Sequence, residues 1–199
     1  MPKRDIHLKW QHTGAIFAGG QSKRMGSPKE GVLLWDNRPM IEHVIEVLKK
    51  VCKKIIIIGK CEGYDSKDIT LLQDITLNLG PVGGLKTLLS SGIDTEYLVV
   101  ACDQPLLTPE LLRKLIKSEV SSKLRLFSYS GFTDINPLPG YYSSSLLSHV
   151  QDSIKNGFTA MHEMIENYPS VSWVSITQAE ALLLKNVNTP HDLEEVKNR

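Results

Sequence analysis

The feature that most constrains the fold is a regular alternation of short apolar segments with amphipathic helical segments. Thr13 to Ala18, Ile55 to Ile58 and Tyr97 to Ala101 are short runs in which most residues are apolar. Between the first two runs, behind Pro39, apolar residues recur every three to four positions from Met40 to Val51, which is the pattern of an amphipathic helix. Strands that are apolar on both faces are typical of a parallel sheet covered by helices. The pattern therefore predicts an α/β fold with a doubly wound, mostly parallel sheet.

The rest of the chain continues this alternation and shows no internal linker or repeat. The further predicted elements are strands at Leu71-Leu72, Leu124 to Tyr129, Leu138 to Tyr142 and Val171 to Ile176, and helices at Val82 to Leu89, Pro109 to Lys117, Leu146 to Lys155, Ala160 to Asn167 and Thr189 to Lys197. A length of 199 residues suits one domain. We therefore predict a single domain over residues 13–199, preceded by an N-terminal extension, residues 1–12.

The composition limits the kinds of partner and the cellular compartment expected for this chain. Lys and Arg number 23 against 22 Asp and Glu, so the chain lacks the overall basic excess of a duplex-binding module, and no nucleic-acid partner is expected. The longest aliphatic run, Ile55 to Ile58, is far too short to cross a bilayer, so no membrane partner is expected either. Cys52, Cys61 and Cys102 fit neither a disulfide framework nor a zinc pattern, which indicates a reducing compartment and a cytoplasmic location.

A glycine-rich loop with several cations follows the first strand. It contains Gly19, Gly20, Gly26, Lys23, Arg24 and Lys29. Glycines let a backbone approach a ligand and aim its N–H groups inward, and an open parallel sheet binds ligands at the carboxyl ends of its strands. The loop has neither the Walker spacing nor the dinucleotide fingerprint. It is interpreted as a polyphosphate-binding loop, the alternative being a surface loop with solvated charges.

A carboxylate ends the strand at Tyr97 to Ala101. Asp103 is expected at the same edge of the sheet as the glycine loop, and Thr108, before Pro109, already offers a cap for the next helix. A lone carboxylate that shares a metal shell with substrate phosphates is a usual way to hold Mg²⁺, so Asp103 is a candidate ligand for it. The segment Gly80 to Gly84 opens a helix, where glycine-rich backbone either binds an anion or a ring or forms a simple turn.

Taken together, four segments resemble the molybdenum cofactor guanylyltransferases, the molybdopterin-guanine dinucleotide biosynthesis A family. These segments are Phe17-Ala18-Gly19-Gly20-Gln21-Ser22-Lys23-Arg24-Met25-Gly26 with Lys29, Gly80-Pro81-x-x-Gly84, Cys102-Asp103-x-Pro105, and Asn186-Val187-Asn188-Thr189-Pro190-x-x-Leu193. The resemblance implies a Rossmann-like nucleotidyltransferase domain. The implied reaction transfers GMP from Mg-GTP to the terminal phosphate of molybdopterin and releases pyrophosphate. Transient contacts with proteins of molybdenum cofactor synthesis, or with enzymes that receive the product, are also implied.

The resemblance assigns roles at matching positions. The nucleotide would be contacted by Phe17, Ala18, Gly19, Gly20, Arg24, Lys29, Asp74, Gly84 and Asp103. Among these, Asp74 would meet the guanine, Lys29 the phosphates, and Asp103 both the nucleotide and Mg²⁺. Asn186 and Asn188 would lie where nucleotide and pterin meet, and the catalytic set would be Lys29, Asp103 and Asn188.

Three positions depart from the family pattern, and other reactions stay open. Phe17 stands where members commonly have Leu, Ile58-Gly59-Lys60 lacks the Asn that members often supply to the base, and Asn136-Pro137-Leu138 matches only loosely. The alternatives are transfer from CTP to molybdopterin, transfer of a nucleotide to a sugar or isoprenoid phosphate, and a nucleotide-binding regulatory module without turnover.

Overall fold

The computed structural model describes residues 12–18, 32–59, 61, 64, 68–74, 79–117 and 122–197. Its strands are β1 (Thr13–Phe17), β2 (Lys54–Ile58), β3 (Ile69–Leu72), β4 (Glu96–Ala101), β5 (Leu124–Ser128), β6 (Gly140–Ser143) and β7 (Val171–Ser175). Its α-helices are α1 (Met40–Lys49), α2 (Gly80–Ser90), α3 (Pro109–Lys117), α4 (Leu147–Lys155), α5 (Met161–Glu166), α6 (Gln178–Ala181) and α7 (Pro190–Lys197). Short 3-10 turns precede α4 and follow α6. The predicted order of strands and helices is confirmed, and α6 was not predicted.

All seven of these strands form one sheet in the order β3-β2-β1-β4-β6-β5-β7. Every pairing is parallel except the two made by β6, which runs antiparallel to β4 and to β5. The predicted mostly parallel sheet is therefore confirmed. Since β5 and β7 run in the same direction as β4, the carboxyl ends of six of these strands lie at one edge of the sheet.

Helices cover both faces of the sheet, as the apolar strands predicted. On one face α1 packs against β1 and β2 and α3 packs against β5 and β6, through side chains such as Leu48 and Leu112, both 0% exposed. On the other face α2, α4 and α5 contribute Leu85, Val150 and Met164. Because β2 buries side chains on both faces, its four Ile residues, Ile55 to Ile58, are all buried. This is the doubly wound arrangement.

Gly140 begins β6 at a position with no room for a side chain. A Cβ there would lie 2.6 Å from Tyr142 Cε2, 2.7 Å from Leu126 Cδ2 and 2.8 Å from the carbonyl oxygen of Pro137. Two of these neighbours are buried side chains and the third is backbone, so none is the free end of a flexible side chain. The close approach of β6 to β5 therefore requires glycine here.

We expect Gly140→Ala to destabilise the protein by about 3 kcal/mol, because overpacking of this kind forces side chains and backbone to shift. In a thermal melt the change corresponds to a fall of roughly 10 °C for a domain of this size. Gly84→Ala is the matched control, since its Cβ would make ordinary contacts at 3.6 Å to Ile58 and 3.7 Å to Phe17. That variant is expected to melt at or above the wild-type temperature, because Ala is favoured over Gly by about 1 kcal/mol inside a helix. Equal melting temperatures for the two variants would contradict the packing argument.

Candidate active site

Four neighbouring strands end side by side at the carboxyl edge, and backbone hydrogen bonds continue beyond them. Gly59 N–H donates to Leu72 O (3.2 Å), Ala18 N–H to Ile58 O (2.9 Å) and Cys102 N–H to Phe17 O (3.1 Å). The residues that follow β3, β2, β1 and β4 are thus held in adjacent rows. At roughly 5 Å between neighbouring strands, β3, which Asp74 follows, and β4, which Asp103 follows, are three spacings or about 15 Å apart along this edge.

Asp103 lies directly beyond β4, as predicted, and is 7% exposed. It does not cap the next helix: Leu111 N–H donates to Thr108 Oγ1 (3.3 Å) and Leu112 N–H to Thr108 O (3.2 Å). The prediction that Thr108 takes the capping role is therefore confirmed.

The closing segment, defined as residues 184–189, lies against Asp103. Val187 N–H donates to the backbone carbonyl of Asp103 at 2.8 Å, and the Val187 side chain is fully buried. Asn186 and Asn188 flank Val187, so the structure brings both predicted acceptor residues to the end of β4. This contact joins two segments that the sequence analysis connected only through the family resemblance.

Thr189 and Asp192 cap α7. Thr189 Oγ1 and N–H donate to Asp192 Oδ2 at 2.8 and 2.9 Å, and Asp192 N–H donates back to Thr189 Oγ1 at 3.1 Å. Asn188 contributes its backbone N–H to the same carboxylate at 3.0 Å. The Thr189 hydroxyl is the main cause that lowers the pKa of Asp192. Capping is thus carried by Thr189, Asp192 and the backbone of Asn188.

We expect Asn188→Ala to lower product formation while the melting temperature stays close to wild type, because alanine keeps the backbone N–H that joins the cap. Thr189→Ala is the matched variant, and loss of this cap should cost about 1 kcal/mol of stability. Its folded fraction should keep most of the activity. Melting temperature and pyrophosphate release, measured on the same preparations, separate the two effects. A large fall in melting temperature with normal activity for Asn188→Ala would assign Asn188 to the cap.

Asp74 follows β3 and is held by a residue that sequence reasoning missed. Thr87, on α2 and 2% exposed, donates its hydroxyl to Asp74 Oδ1 at 2.8 Å. Gly80, Gly84 and Thr87 are spaced to lie on one face of α2, so the helical period was a signal that could have found Thr87. Gly84 itself is buried, and its Cα faces the ends of β1 and β2.

Gln104 is the second residue that sequence reasoning missed. It is 1% exposed and lies between Asp103 and Pro105, in the position treated as variable within the Cys-Asp-x-Pro motif. Its amide contacts the end of β4, residue 138 and the closing segment. A polar residue between two motif residues was the available signal, but its partners are distant in sequence.

Phe17 ends β1 and Ala18 follows it at this edge; Phe17 is partly buried and Ala18 is 6% exposed. Gly19, Gly20, Arg24 and Lys29, which are predicted to contact the nucleotide, lie outside the described residues. Lys60 also lies outside them.

Cys52 lies just beyond α1, where burial raises the pKa of its thiol to about 12 and leaves it a poor nucleophile at neutral pH.

Within the described ranges, no group of three or more His, Cys, Asp or Glu side chains is placed to hold a metal ion. A magnesium site in a phosphoryl-transfer enzyme does not need one, since Mg²⁺ is commonly held by one or two carboxylates together with water and substrate phosphates. A carboxylate such as that of Asp103 has the hard oxygen atoms that this ion prefers. The donor set therefore fits a magnesium ion carried with a nucleotide. No helix among these residues has the length and apolar character of a membrane span.

Comparison with solved structures shows the fold. The crystal structure of molybdopterin-guanine dinucleotide biosynthesis protein A from Archaeoglobus fulgidus superposes with a TM-score of 0.77 at 21% identity, covering 94% of this chain and 97% of that one. The 2-C-methyl-D-erythritol 4-phosphate cytidylyltransferase from Thermus thermophilus superposes with a TM-score of 0.68 at 14% identity, covering 94% and 98%. The chain therefore has the nucleotidyltransferase fold.

Sequence comparison identifies the family. The MobA-like NTP transferase domain matches residues 14–171. Two curated relatives, from Flavobacterium johnsoniae and Carboxydothermus hydrogenoformans, are both named probable molybdenum cofactor guanylyltransferase. The first is 31% identical and covers 92% of this chain and 95% of the relative; the second is 30% identical and covers 92% and 94%. The chain belongs to the MobA-like nucleotidyltransferases and, within them, to the molybdenum cofactor guanylyltransferases.

Proposed function

We propose that this protein transfers GMP from Mg-GTP to the terminal phosphate of molybdopterin, forming molybdopterin guanine dinucleotide and releasing pyrophosphate. The observation that carries the proposal is the hydrogen bond from Val187 N–H to Asp103 O. It joins the strand-end aspartate to the segment that contains Asn186 and Asn188. A site with a nucleotide part and an acceptor part is therefore supported by geometry as well as by family.

The nucleotide would lie along the carboxyl edge of the sheet. The separation of about 15 Å between the rows of Asp74 and Asp103, three strand spacings, suits a base at one end and phosphates at the other. The base would be met by Asp74, held by Thr87, and the sugar would pass the backbone of Phe17 and Ala18, with Gly84 nearby. The phosphates would extend toward Asp103.

The glycine loop would complete the phosphate side. We propose that the backbone of Gly19 and Gly20 approaches the nucleotide and that Lys29 contacts its phosphates, with Arg24 adding charge. Asp103 would hold Mg²⁺, which when bound neutralises charge on the phosphates. The reaction joins two bound phosphates, and the attacking oxygen is already anionic. The protein therefore needs to position the two groups and screen their repulsion rather than supply a nucleophile.

Asn186 and Asn188 would act on the acceptor. Their side chains are neutral, so they add no negative charge beside Asp103, and amide N–H groups donate to phosphate oxygens. We propose that they fix the acceptor phosphate next to the nucleotide. The reducing compartment indicated by the cysteines supports a cytoplasmic location for this reaction.

The test is pyrophosphate release by the purified full chain with each of the four Mg-nucleoside triphosphates, with and without molybdopterin. Release only with GTP and molybdopterin together, with the dinucleotide confirmed by mass spectrometry, is the expected result. Release with CTP in place of GTP, or with a sugar or isoprenoid phosphate in place of molybdopterin, would overturn the substrate assignment. Nucleotide binding without release under any of these conditions would indicate a regulatory module.

A further inference from the structure

Gln104 is a fully buried carboxamide whose hydrogen-bonding capacity is used by three separate parts of the chain. Its Oε1 accepts from Ala101 N–H at the end of β4 (3.2 Å). Its Nε2 donates to Leu138 O at 2.8 Å, and also to Leu184 O at 3.3 Å and Asn186 Oδ1 at 3.2 Å. A buried amide is costly unless it is paired, so this pairing fixes the side chain in one place.

The orientation of the Gln104 amide follows from its neighbours. Ala101 N–H is a donor, so the atom facing it must be the Gln104 oxygen, and the amino group must face the other way. That amino group then meets two backbone carbonyls, which are only acceptors. The assignment of oxygen and nitrogen in Gln104 is therefore determined by backbone groups that cannot change roles.

The orientation of Asn186 follows in turn. Since the Gln104 amino group only donates, the atom of Asn186 that faces it must be Oδ1. The amino group of Asn186, Nδ2, then points away from Gln104, and Asn186 is exposed to solvent. Gln104 thereby makes Asn186 present a hydrogen-bond donor, rather than an acceptor, beside the end of β4.

We propose that Gln104 is a positioning residue that sets the polarity of Asn186, so that Nδ2 donates to a phosphate oxygen of the acceptor. The inference rests on the proposed function, and it names the group of the acceptor that this part of the site recognises: a phosphomonoester. A donor suits an anionic oxygen, whereas the Asn186 carbonyl oxygen would repel it. Gln104 touches neither substrate and acts through Asn186.

Two variants of Gln104 test the role in different ways. Gln104→Met keeps similar length and removes both donor and acceptor. Gln104→Glu keeps the acceptor for Ala101 N–H but removes the donor, so the Asn186 amino group turns inward toward the carboxylate. Both variants should raise the KM for molybdopterin about tenfold, the size expected for losing one hydrogen bond to a charged group. The KM for GTP should stay within twofold of wild type, which a general loss of structure would not produce.

Combination with Asn186→Ala tests whether Gln104 acts through Asn186. The double variant Gln104→Met/Asn186→Ala should have the same KM for molybdopterin as Asn186→Ala alone, because Gln104 then has no side chain to orient. Independent, multiplying effects would overturn the proposal. An equal rise in the KM for both substrates would also overturn it.

A second readout needs no turnover. In ¹H–¹⁵N spectra of the wild type, the Asn186 side-chain NH₂ signal, identified by its loss in Asn186→Ala, should shift when inorganic phosphate is added. The shift should be strongly reduced in Gln104→Met. If the phosphate-dependent shift and its reduction in Gln104→Met are both seen but wild type makes no product from GTP and molybdopterin, the proposed function fails and the positioning role stands. If wild type turns over and the Gln104 variants leave the KM for molybdopterin unchanged, the positioning role fails and the function stands.

Discussion

Asp103→Asn is expected to lower pyrophosphate release by a hundredfold or more, about the loss usual when one electrostatic contact to a transition state is removed. Asparagine has nearly the same shape as aspartate, and the hydrogen bond from Val187 reaches the backbone carbonyl of residue 103, which the substitution leaves in place. The fold should therefore be retained while the negative charge that would hold Mg²⁺ is lost. Steady-state rates over a range of Mg²⁺ concentrations, with circular dichroism as a check of folding, measure both properties.

The control for this variant is Asp152→Asn. Asp152 lies on α4 with its side chain 65% exposed and paired with Lys155, so it carries the same chemical change at a surface site. Its activity and melting temperature should match wild type, since exposed charge substitutions usually change stability by less than about 0.5 kcal/mol. Near-wild-type pyrophosphate release by Asp103→Asn at saturating Mg²⁺ would remove Asp103 from the metal site.

Asp74→Ala is expected to reduce the preference for GTP over ATP by about a hundredfold or more, because the site would lose the group that distinguishes the two bases. Guanine presents two adjacent donors, N1–H and the 2-amino group, which one carboxylate accepts together. Adenine presents an acceptor at N1, which the carboxylate repels. Competition of Mg-GTP, Mg-ATP and Mg-CTP for binding to wild type and variant gives the preference directly.

The variant Thr87→Val tests the contribution of the Thr87 hydroxyl separately from that of the Asp74 carboxylate. Valine has nearly the shape of threonine but removes the hydroxyl that donates to Asp74 at 2.8 Å. This variant should bind GTP about tenfold more weakly, because the carboxylate loses a hydrogen bond that holds it in place, while it keeps the preference for GTP. Equal binding of the three nucleotides by wild type, or an unchanged preference in Asp74→Ala, would remove Asp74 from the base site.

Most of the fold could be predicted from the sequence because buried positions of strands and helices are occupied mainly by apolar residues. The apolar runs that became β1, β2 and β4 are covered on both faces, and the stripe behind Pro39 became α1. The hydropathy pattern did not indicate strand direction. The strand β6 is short, and its sequence does not show that it runs antiparallel to both of its neighbours. The helix α6 was missed because its four residues include none that is buried.

The site was predictable where it depends on local position and unpredictable where it depends on distant contacts. Asp103 could be placed because a residue after a parallel strand must lie at the carboxyl edge, and Thr108 because helix caps have a local signature. The role of Gln104 was not accessible in this way. Its partners Leu138, Leu184 and Asn186 lie 34, 80 and 82 residues away in sequence, and only the folded chain brings them together.

The long separation between Gln104 and Asn186 has a consequence for how the enzyme matures. During synthesis the strands that would bind the nucleotide emerge before the closing segment, because they precede it in the chain. A chain folded only as far as β7 would have the base end of the site and Asp103, but neither Asn186 nor Asn188. Capacity to bind the nucleotide would therefore precede capacity to hold the acceptor, and docking of the closing segment beside β4 would be the step that makes the protein competent to join its two substrates.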